Sequence, residues 1–441
     1  MCIRNGRNAV LLEFSITNHK SYASEQTLSL VATKLSDTAG GRVVSVRGPR
    51  PINVLTSAAI LGKNGSGKSN LVNALTFVSH FVSRSAADSG ADEATHYQPF
   101  AFSKGLTNEE TRYCIVFSMH ENMYQFEFAI DADRIVREIL EVADRTARFR
   151  LLYERNWDSD TLTYKYRFGA ALTGDRNTWK DATRPNALFL STAIQLNSEV
   201  LKPAYDWLTK YVKRLNTLGP LRIAGTSSRY CRSDDKRNRI KEFLQKLDIR
   251  VSDITVVEED VDESRFEGIF AADFLAKVRT DGMVNKSYKV KFQNLDEDGD
   301  LVELDYHEQS TGTQTLFELA GPLFEALENG YCVVVDEVNT NLHSLALKAI
   351  VEMFSDEALN VKRAQLLFTT HDTSIVSSKV FRRDQIWLVD TDHIGRSSLT
   401  PLSSFLPRKG EALQRGYLMG RYGGVPVIEK IEQAILPELI G

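Results

Sequence analysis

Cysteine is scarce in this chain: four among 441 residues, Cys2, Cys114, Cys231 and Cys332. They are scattered, with no paired spacing and no histidine cluster beside them, which leaves neither a disulfide framework nor a cysteine metal site. Such usage fits a reducing compartment. Long apolar runs are missing too, none approaching the roughly 20 residues that span a bilayer, so no membrane partner is expected. The start, MCIRNGRNAVLLEF, has two arginines but no long apolar core and no cleavage-like site, so no export signal is expected. A cytoplasmic location is the resulting expectation. An excess of positive charge is also lacking: the net charge is −4. That argues against a chain basic throughout and leaves open a local basic face for nucleic acid. There are no internal repeats, no low-complexity tracts, and no stretch with the three or four heptads of a coiled coil.

What is present is ordinary for a globular chain, with 42% hydrophobic and 25% charged residues. At this length a single core has stopped growing, so two domains or one head with a large insertion are expected.

The strongest local signal is Gly62-Lys63-Asn64-Gly65-Ser66-Gly67-Lys68-Ser69. Two glycines frame four residues, then Lys and Ser follow, which is the phosphate-loop pattern. Ala58–Leu61 reads as a buried strand before it, and Ser69–Leu75, with Asn70, as a helix after it. Glycines between strand and helix can take positive φ, so that backbone N–H groups converge on phosphate oxygens at the helix N-terminus. Lys68 then reaches the β- and γ-phosphates of ATP, and the Ser69 hydroxyl is placed for Mg²⁺. The alternative is a glycine-rich turn that binds nothing.

Upstream, Val10–Ile16 and Gln26–Ala32 alternate as strands, and Val43–Val46 is a short strand between turn signals at Gly40-Gly41 and Gly48-Pro49. Arg112–Met119 and Met123–Ile130 form a hairpin across His120-Glu121-Asn122. Arg134–Val142 and Phe149–Glu154 continue the strands. Helical spacing appears over Glu199–Leu215 and Asp234–Leu247, while Thr226–Asn238 reads as a mobile polar and basic loop. Beyond Leu301, helices over Thr315–Asn329 and Leu342–Met353 alternate with strands over Tyr331–Val335 and Gln365–Phe368. That alternation predicts a mainly parallel sheet covered on both faces.

Cys332–Val335 is an apolar strand that delivers Asp336 and Glu337 at its C-terminal end, where open α/β sheets keep their ligands. Asp336 then holds Mg²⁺ and Glu337 orients or deprotonates an attacking water; the alternative is a strand ending in acidic surface residues. Glu308–Gln314 precedes a helix, with the Ser310 hydroxyl and the bare Gly312 backbone at its start, and on its own it is an ordinary helix cap.

The order of these motifs resembles ABC-type ATPase heads. Ser310-Thr311-Gly312-Thr313-Gln314 resembles a divergent ABC signature, His371 in Thr369-Thr370-His371-Asp372 the switch histidine, and Val338–His343 the D-loop, with Asn339 where Asp is commoner. More narrowly the chain is similar to the SMC-like AAA/ABC ATPases of bacterial phage-defence (abortive infection) systems, the RloA/AbiL type and the ATPase of PARIS. Phe14–Tyr22, Pro99-Phe100, Arg382–Ile386 and Gly420–Pro426 add to that resemblance. It implies an α/β fold: an ABC-type P-loop ATPase head, mainly parallel sheet plus an antiparallel β subdomain, built from residues 1–155 and 301–441, with 156–300 as an insertion carrying helical segments. It implies ATP and Mg²⁺ as cofactors, with Lys68, Glu337 and His371 as the catalytic set. Asn64–Asn70 bind nucleotide, joined by Ser310 and Gly312 of a second copy. Gln98 joins Ser69 and Asp336 as a metal contact, and Asn18, Lys20 and Tyr22 are either nucleotide contacts or surface turn residues with no such role. The implied partners are a homodimer or higher homo-oligomer through the ATP sites and an effector, a nuclease among the candidates.

Two other functions compete with an antiviral ATPase switch. One is a DNA-repair or chromosome-maintenance ATPase binding nucleic acid directly, which the missing heptads disfavour for long-armed forms. The other is a nuclease using Asp390 and Asp392, although Asp390-Thr391-Asp392 before His393-Ile394-Gly395 reads as an acidic hairpin turn.

Overall fold

A computed structural model describes residues 9–35, 43–46, 51–87, 94–144, 148–215, 225–260, 286–376, 380–405 and 413–425. Gly40-Gly41, Gly48-Pro49 and Pro426 lie outside them. The described chain forms two compact units, residues 1–214, 329–337 and 348–441 in the first and 215–328 with 338–347 in the second.

Alternation of apolar and polar residues builds the first sheet of the first unit. It contains β1 (Ala9–Thr17), β2 (Gln26–Ser29), β6 (Thr111–Met119), β7 (Asn122–Ile130), β8 (Ile135–Ala143), β9 (Phe149–Asp158) and β10 (Thr163–Phe168), in the order 10-9-8-7-6-1-2 and antiparallel between β1 and β2 and from β1 to β10. Phe14 and Ile16 of β1 and Phe126 and Phe128 of β7 are buried on one face. The other face is charged, and Arg112, Glu127, Arg137, Glu154 and Arg167 alternate in sign from β6 to β10. A small hairpin, β3 (Val43–Val46) with β4 (Ile52–Leu55), leads into the phosphate-loop strand.

The second sheet of this unit is the expected parallel one. Its strands are β5 (Ser57–Gly62), β11 (Val212–Leu215), β15 (Cys332–Val335), β16 (Gln365–Thr370), β17 (Ile386–Thr391) and β18 (Ser397–Pro401), in the order 11-15-16-5-17-18. β15, β16, β5 and β17 run parallel, and β18 returns antiparallel. β5, β15 and β16 are buried at every residue, as near-continuous apolar strands require.

Helix α1 (Lys68–Arg84) buries Leu71, Val72, Leu75, Val78 and Val82 at helical spacing. The short helices α2 (Arg176–Ala182), α3 (Phe189–Gln195) and α4 (Lys202–Asp206) also lie in the first unit, although their residues share the sequence character of the 156–300 insertion. The helix expected over Glu199–Leu215 is shorter: α4 passes into a π turn at Trp207–Tyr211 and then into β11. Trp207 is wholly buried and stacks on Phe117 with ring centroids 4.2 Å apart, so packing sets where the helix stops.

In the second unit, α6 (Asp234–Lys246) forms where helical spacing over Asp234–Leu247 predicts it, while α5 (Gly225–Tyr230) replaces the first part of the loop expected over Thr226–Asn238. Tertiary packing is the reason: Ser227 Oγ accepts from Gly321 N at 3.0 Å and donates to the Glu318 carbonyl at 3.1 Å. Those partners belong to α7 (Thr311–Asn329), which contains Pro322. A three-stranded antiparallel sheet, β12 (Asp253–Asp260), β13 (Lys286–Leu295) and β14 (Leu301–Asp305), was not expected in a helical insertion. Helix α8 (Ser344–Ser355) begins in this unit, and α9 (Leu413–Leu418) lies in the first.

Gln365, 1% exposed, joins the two sheets of the first unit. Its amide accepts from Leu11 N at 2.6 Å and donates to the carbonyls of Leu11 and Leu55 at 3.0 and 3.1 Å. Gln365→Leu strands those backbone groups without water and should lower unfolding free energy by about 2–4 kcal/mol. Urea denaturation of the two proteins measures it.

Candidate nucleotide site

Strand β5 ends in the phosphate loop, and the loop's shape depends on two glycines. Gly65 and Gly67 have φ of 72° and 106°, in the left-handed region. A Cβ on Gly67 would lie 2.3 Å from Ser397 Oγ and 2.6 Å from Ser21 Oγ. The loop is thus wedged between the β1–β2 turn and the start of β18. Ser397 Oγ donates to the Ser66 carbonyl at 2.6 Å, Tyr22 OH donates to the Gly67 carbonyl at 3.0 Å, and Asn70 Nδ2 donates to Ser21 Oγ at 2.9 Å.

Lys68 is 5% exposed and donates to the Gly62 and Lys63 carbonyls at 2.8 and 2.9 Å. Burial pulls its pKa down, and Glu337 and Asp336 oppose that pull. An ammonium has three N–H donors, so two carbonyls leave one for a ligand.

The parallel register of β5, β16 and β15 carries the acidic pair to the loop. Ser69 Oγ is 3.2 Å from Asp336 Oδ1, which also accepts from Thr369 Oγ1 at 2.5 Å. Thr369 Oγ1 accepts in turn from Glu337 N at 2.7 Å. Glu337 has φ of 51°, a strained value for a non-glycine residue. His371, just past β16, places Nε2 4.0 Å from Glu337 Oε1. Burial, then Lys68, lower its pKa, against Glu337, Asp336 and a backbone hydrogen bond with Gly62. The imidazole is therefore neutral at pH 7.

Asn64–Asn70, Glu337 and His371 line one open cleft of about 310 Å³. Asp336 reaches it through Ser69. Gln98 is exposed and is not among the lining residues; its backbone carbonyl accepts from Lys20 N at 2.8 Å. Ser310 and Gly312 belong to the second unit. There Ser310 Oγ accepts from Thr313 N at 3.2 Å and caps α7, while a Cβ on Gly312 would sit 3.1 Å from the Asn341 carbonyl.

Asn18 is not a surface turn residue. It is 2% exposed, donates to the Leu106 and Glu109 carbonyls at 2.8 Å each and accepts from Phe100 N at 3.0 Å, so its amide is committed to the fold. Tyr22, also buried, braces the loop from behind. Ser21, Thr369 and Ser397 are residues whose roles sequence reading missed; Ser21 and Thr369 stood inside quoted motifs, but a hydroxyl gives no signal of its distant partner. Asp392 accepts from Ile394 N and Arg396 N at 2.9 and 2.8 Å, the hydrogen bonding of a hairpin turn. Asp390 is 3.4 Å from Lys63. Among the described residues no cluster of three or more His, Cys, Asp or Glu could hold a metal ion, and no helix is long and apolar enough to cross a membrane.

A phosphate loop between a parallel strand and α1, facing an acidic strand end, defines a P-loop ATPase domain that binds nucleotide. Residues 57–377 match the family described as "AAA domain, putative AbiEii toxin, Type IV TA system". The match spans more than half of the chain, and the protein belongs to that family. No curated protein matches it. Solved structures similar to it include the SMC head domain from Thermotoga maritima, at 13% identity and TM-score 0.35, covering 89% of this chain and 98% of that one. Another is the recombination mediator protein RecF-ATPrS of the RecFOR pathway, at 14% identity and TM-score 0.33, covering 87% and 99%. A third is an SMC head bound to the C-winged helix domain of ScpA, at 13% and 0.38, covering 88% and 96%.

His19, in the turn that braces the loop, is 4% exposed and 3.0 Å from Tyr113 OH. Burial, with Lys20, pushes its pKa from 6.5 down to about 4. The unfolded chain therefore takes up the proton first as pH falls. Stability from neutral His19 is complete above pH ~6.5 and declines as pH drops toward ~4. Urea midpoints between pH 7.5 and 5 should fall, and His19→Gln should flatten that slope.

Proposed function

We propose that the protein is a Mg²⁺-dependent ATPase whose nucleotide state controls a partner effector in antiviral defence of the abortive-infection kind. The observation that carries the ATPase reading is the cluster of Ser69, Asp336, Glu337 and His371 at one phosphate loop. The defence reading draws on the AbiEii-type family description and on the resemblance to the RloA/AbiL and PARIS ATPases.

The residues fit a triphosphate. Gly65 and Gly67 give the loop the positive-φ turns of a phosphate cradle, and Ser66 Oγ is buried without a hydrogen-bond partner. Ser69 and Asp336 would hold Mg²⁺, which supplies charge neutralisation at the phosphate oxygens. Lys68 holds the β- and γ-phosphates. Glu337 orients the attacking water and accepts its proton at a carboxylate oxygen. Neutral His371, beside Glu337, would hydrogen-bond the γ-phosphate.

Ser310 and Gly312 of a second copy complete the site in this reading, so two copies sandwich nucleotide in an isologous dimer. Their position at the start of α7 supports it: Ser310 is exposed, and Gly312, half-buried, has no side chain to obstruct an approach. Glu337→Gln should abolish turnover and trap an ATP-bound dimer, seen as a mass shift in size-exclusion light scattering. Normal hydrolysis by that variant removes Glu337 as the base. Ser310→Arg should leave fluorescent-nucleotide binding by the monomer within about twofold yet stop hydrolysis; unchanged turnover defeats the shared site.

A further inference from the structure

The second unit exposes a sheet edge that the nucleotide chemistry does not use. β14 is the outer strand of its sheet, and among the described residues nothing pairs with its free edge. All five of its residues are exposed. Register places Leu304 opposite Phe292 and Val302 opposite Asn294. Phe292 is wholly buried against Phe317 of α7, whereas Val302 and Leu304 on the same face are 44% and 36% exposed. Core-type side chains thus continue one strand beyond their cover. An edge that protected itself would carry an inward charge or proline there.

Charge identifies what would cover it. Glu303 and Asp305 lie on the other face, and the β13–β14 hairpin is Asp296-Glu297-Asp298-Gly299-Asp300. From Asp296 to Glu308 there are seven carboxylates and no Lys or Arg; Lys291 of β13, 2.7 Å from Glu303, offsets one. A second copy would bring the same carboxylates, and antiparallel self-pairing centred on Glu303 would set that residue against its own counterpart. Nucleic acid would be repelled as well.

We propose that the β14 edge docks an extended basic segment of another protein, which adds a fourth strand to the sheet. Its apolar residues cover Val302 and Leu304, and its alternate Lys or Arg residues face Glu303, Asp305 and the hairpin. This surface is independent of ATP hydrolysis.

The test uses the full chain and a labelled ten-residue peptide alternating Val with Lys, read by fluorescence anisotropy. A Val/Glu peptide and a block peptide of the same Val/Lys composition are the controls. The alternating Val/Lys peptide should bind at least about tenfold more tightly than either control. Val302→Lys, and separately Asp298→Lys with Asp300→Lys, should each weaken it about tenfold while nucleotide binding stays unchanged. Lys68→Ala should leave peptide binding intact, which separates this proposal from the ATPase reading. Equal binding of all peptides, no binding at all, or indifference to both edge variants overturns the proposal. Binding of a labelled DNA duplex to the chain alone, altered by Val302→Lys, assigns the edge to nucleic acid and overturns it too. So does sedimentation showing a dimer that Val302→Lys dissolves, which assigns the edge to a second copy.

Discussion

The close approach of three chain segments at Gly67 is the constraint on which the candidate site depends. The left-handed glycine leaves no room for a side chain between Ser21 and Ser397. Ser397 Oγ and Tyr22 OH hold the Ser66 and Gly67 carbonyls by hydrogen bonds, and Ser21 Oγ accepts from Asn70 Nδ2. With those carbonyls tied to the scaffold, Ser66 N closes the loop's own turn by donating to the Lys63 carbonyl at 3.2 Å.

A second device sets the acidic side of the cleft. Thr369, at the end of β16, accepts from Glu337 N and donates to Asp336, fixing both acidic residues from the neighbouring strand. The parallel register makes this reach possible, since β16 lies between β5 and β15. Glu337 keeps a strained backbone there, a cost the surrounding bonds sustain. Gln365 ties β16 to β1, a junction between the two sheets that strand pairing does not make, and Gln385, just before β17, adds a buried amide to the paired β5 at Ser57.

The mixed outcome along the chain follows from where local pattern and tertiary packing agree. Both signals coincide in β5, β15 and β16, which stand near their expected bounds, and in α1, which starts where expected but runs on to Arg84. They diverge between Asn156 and Asp300, where period and composition favoured helices and a loop. There Trp207 stops a helix by stacking on Phe117, and Ser227 turns a polar stretch into helix by packing on Gly321. β14 was invisible because it buries nothing, whereas β12 and β13, among their described residues, bury only Ile254, Val290 and Phe292, each set between polar neighbours.

By itself the sequence determined the phosphate loop, its lysine and serine, the acidic strand end and the histidine, because each depends on residue type at fixed local spacing. Asn18 shows the limit: a motif position that looked free for a ligand is consumed by backbone carbonyls roughly ninety residues away. Tertiary structure alone decided that Ser21, Tyr22 and Ser397 brace the loop and that Thr369 joins the carboxylates. Those contacts bridge 30 to more than 300 residues of chain, and a lone hydroxyl carries no trace of its distant partner.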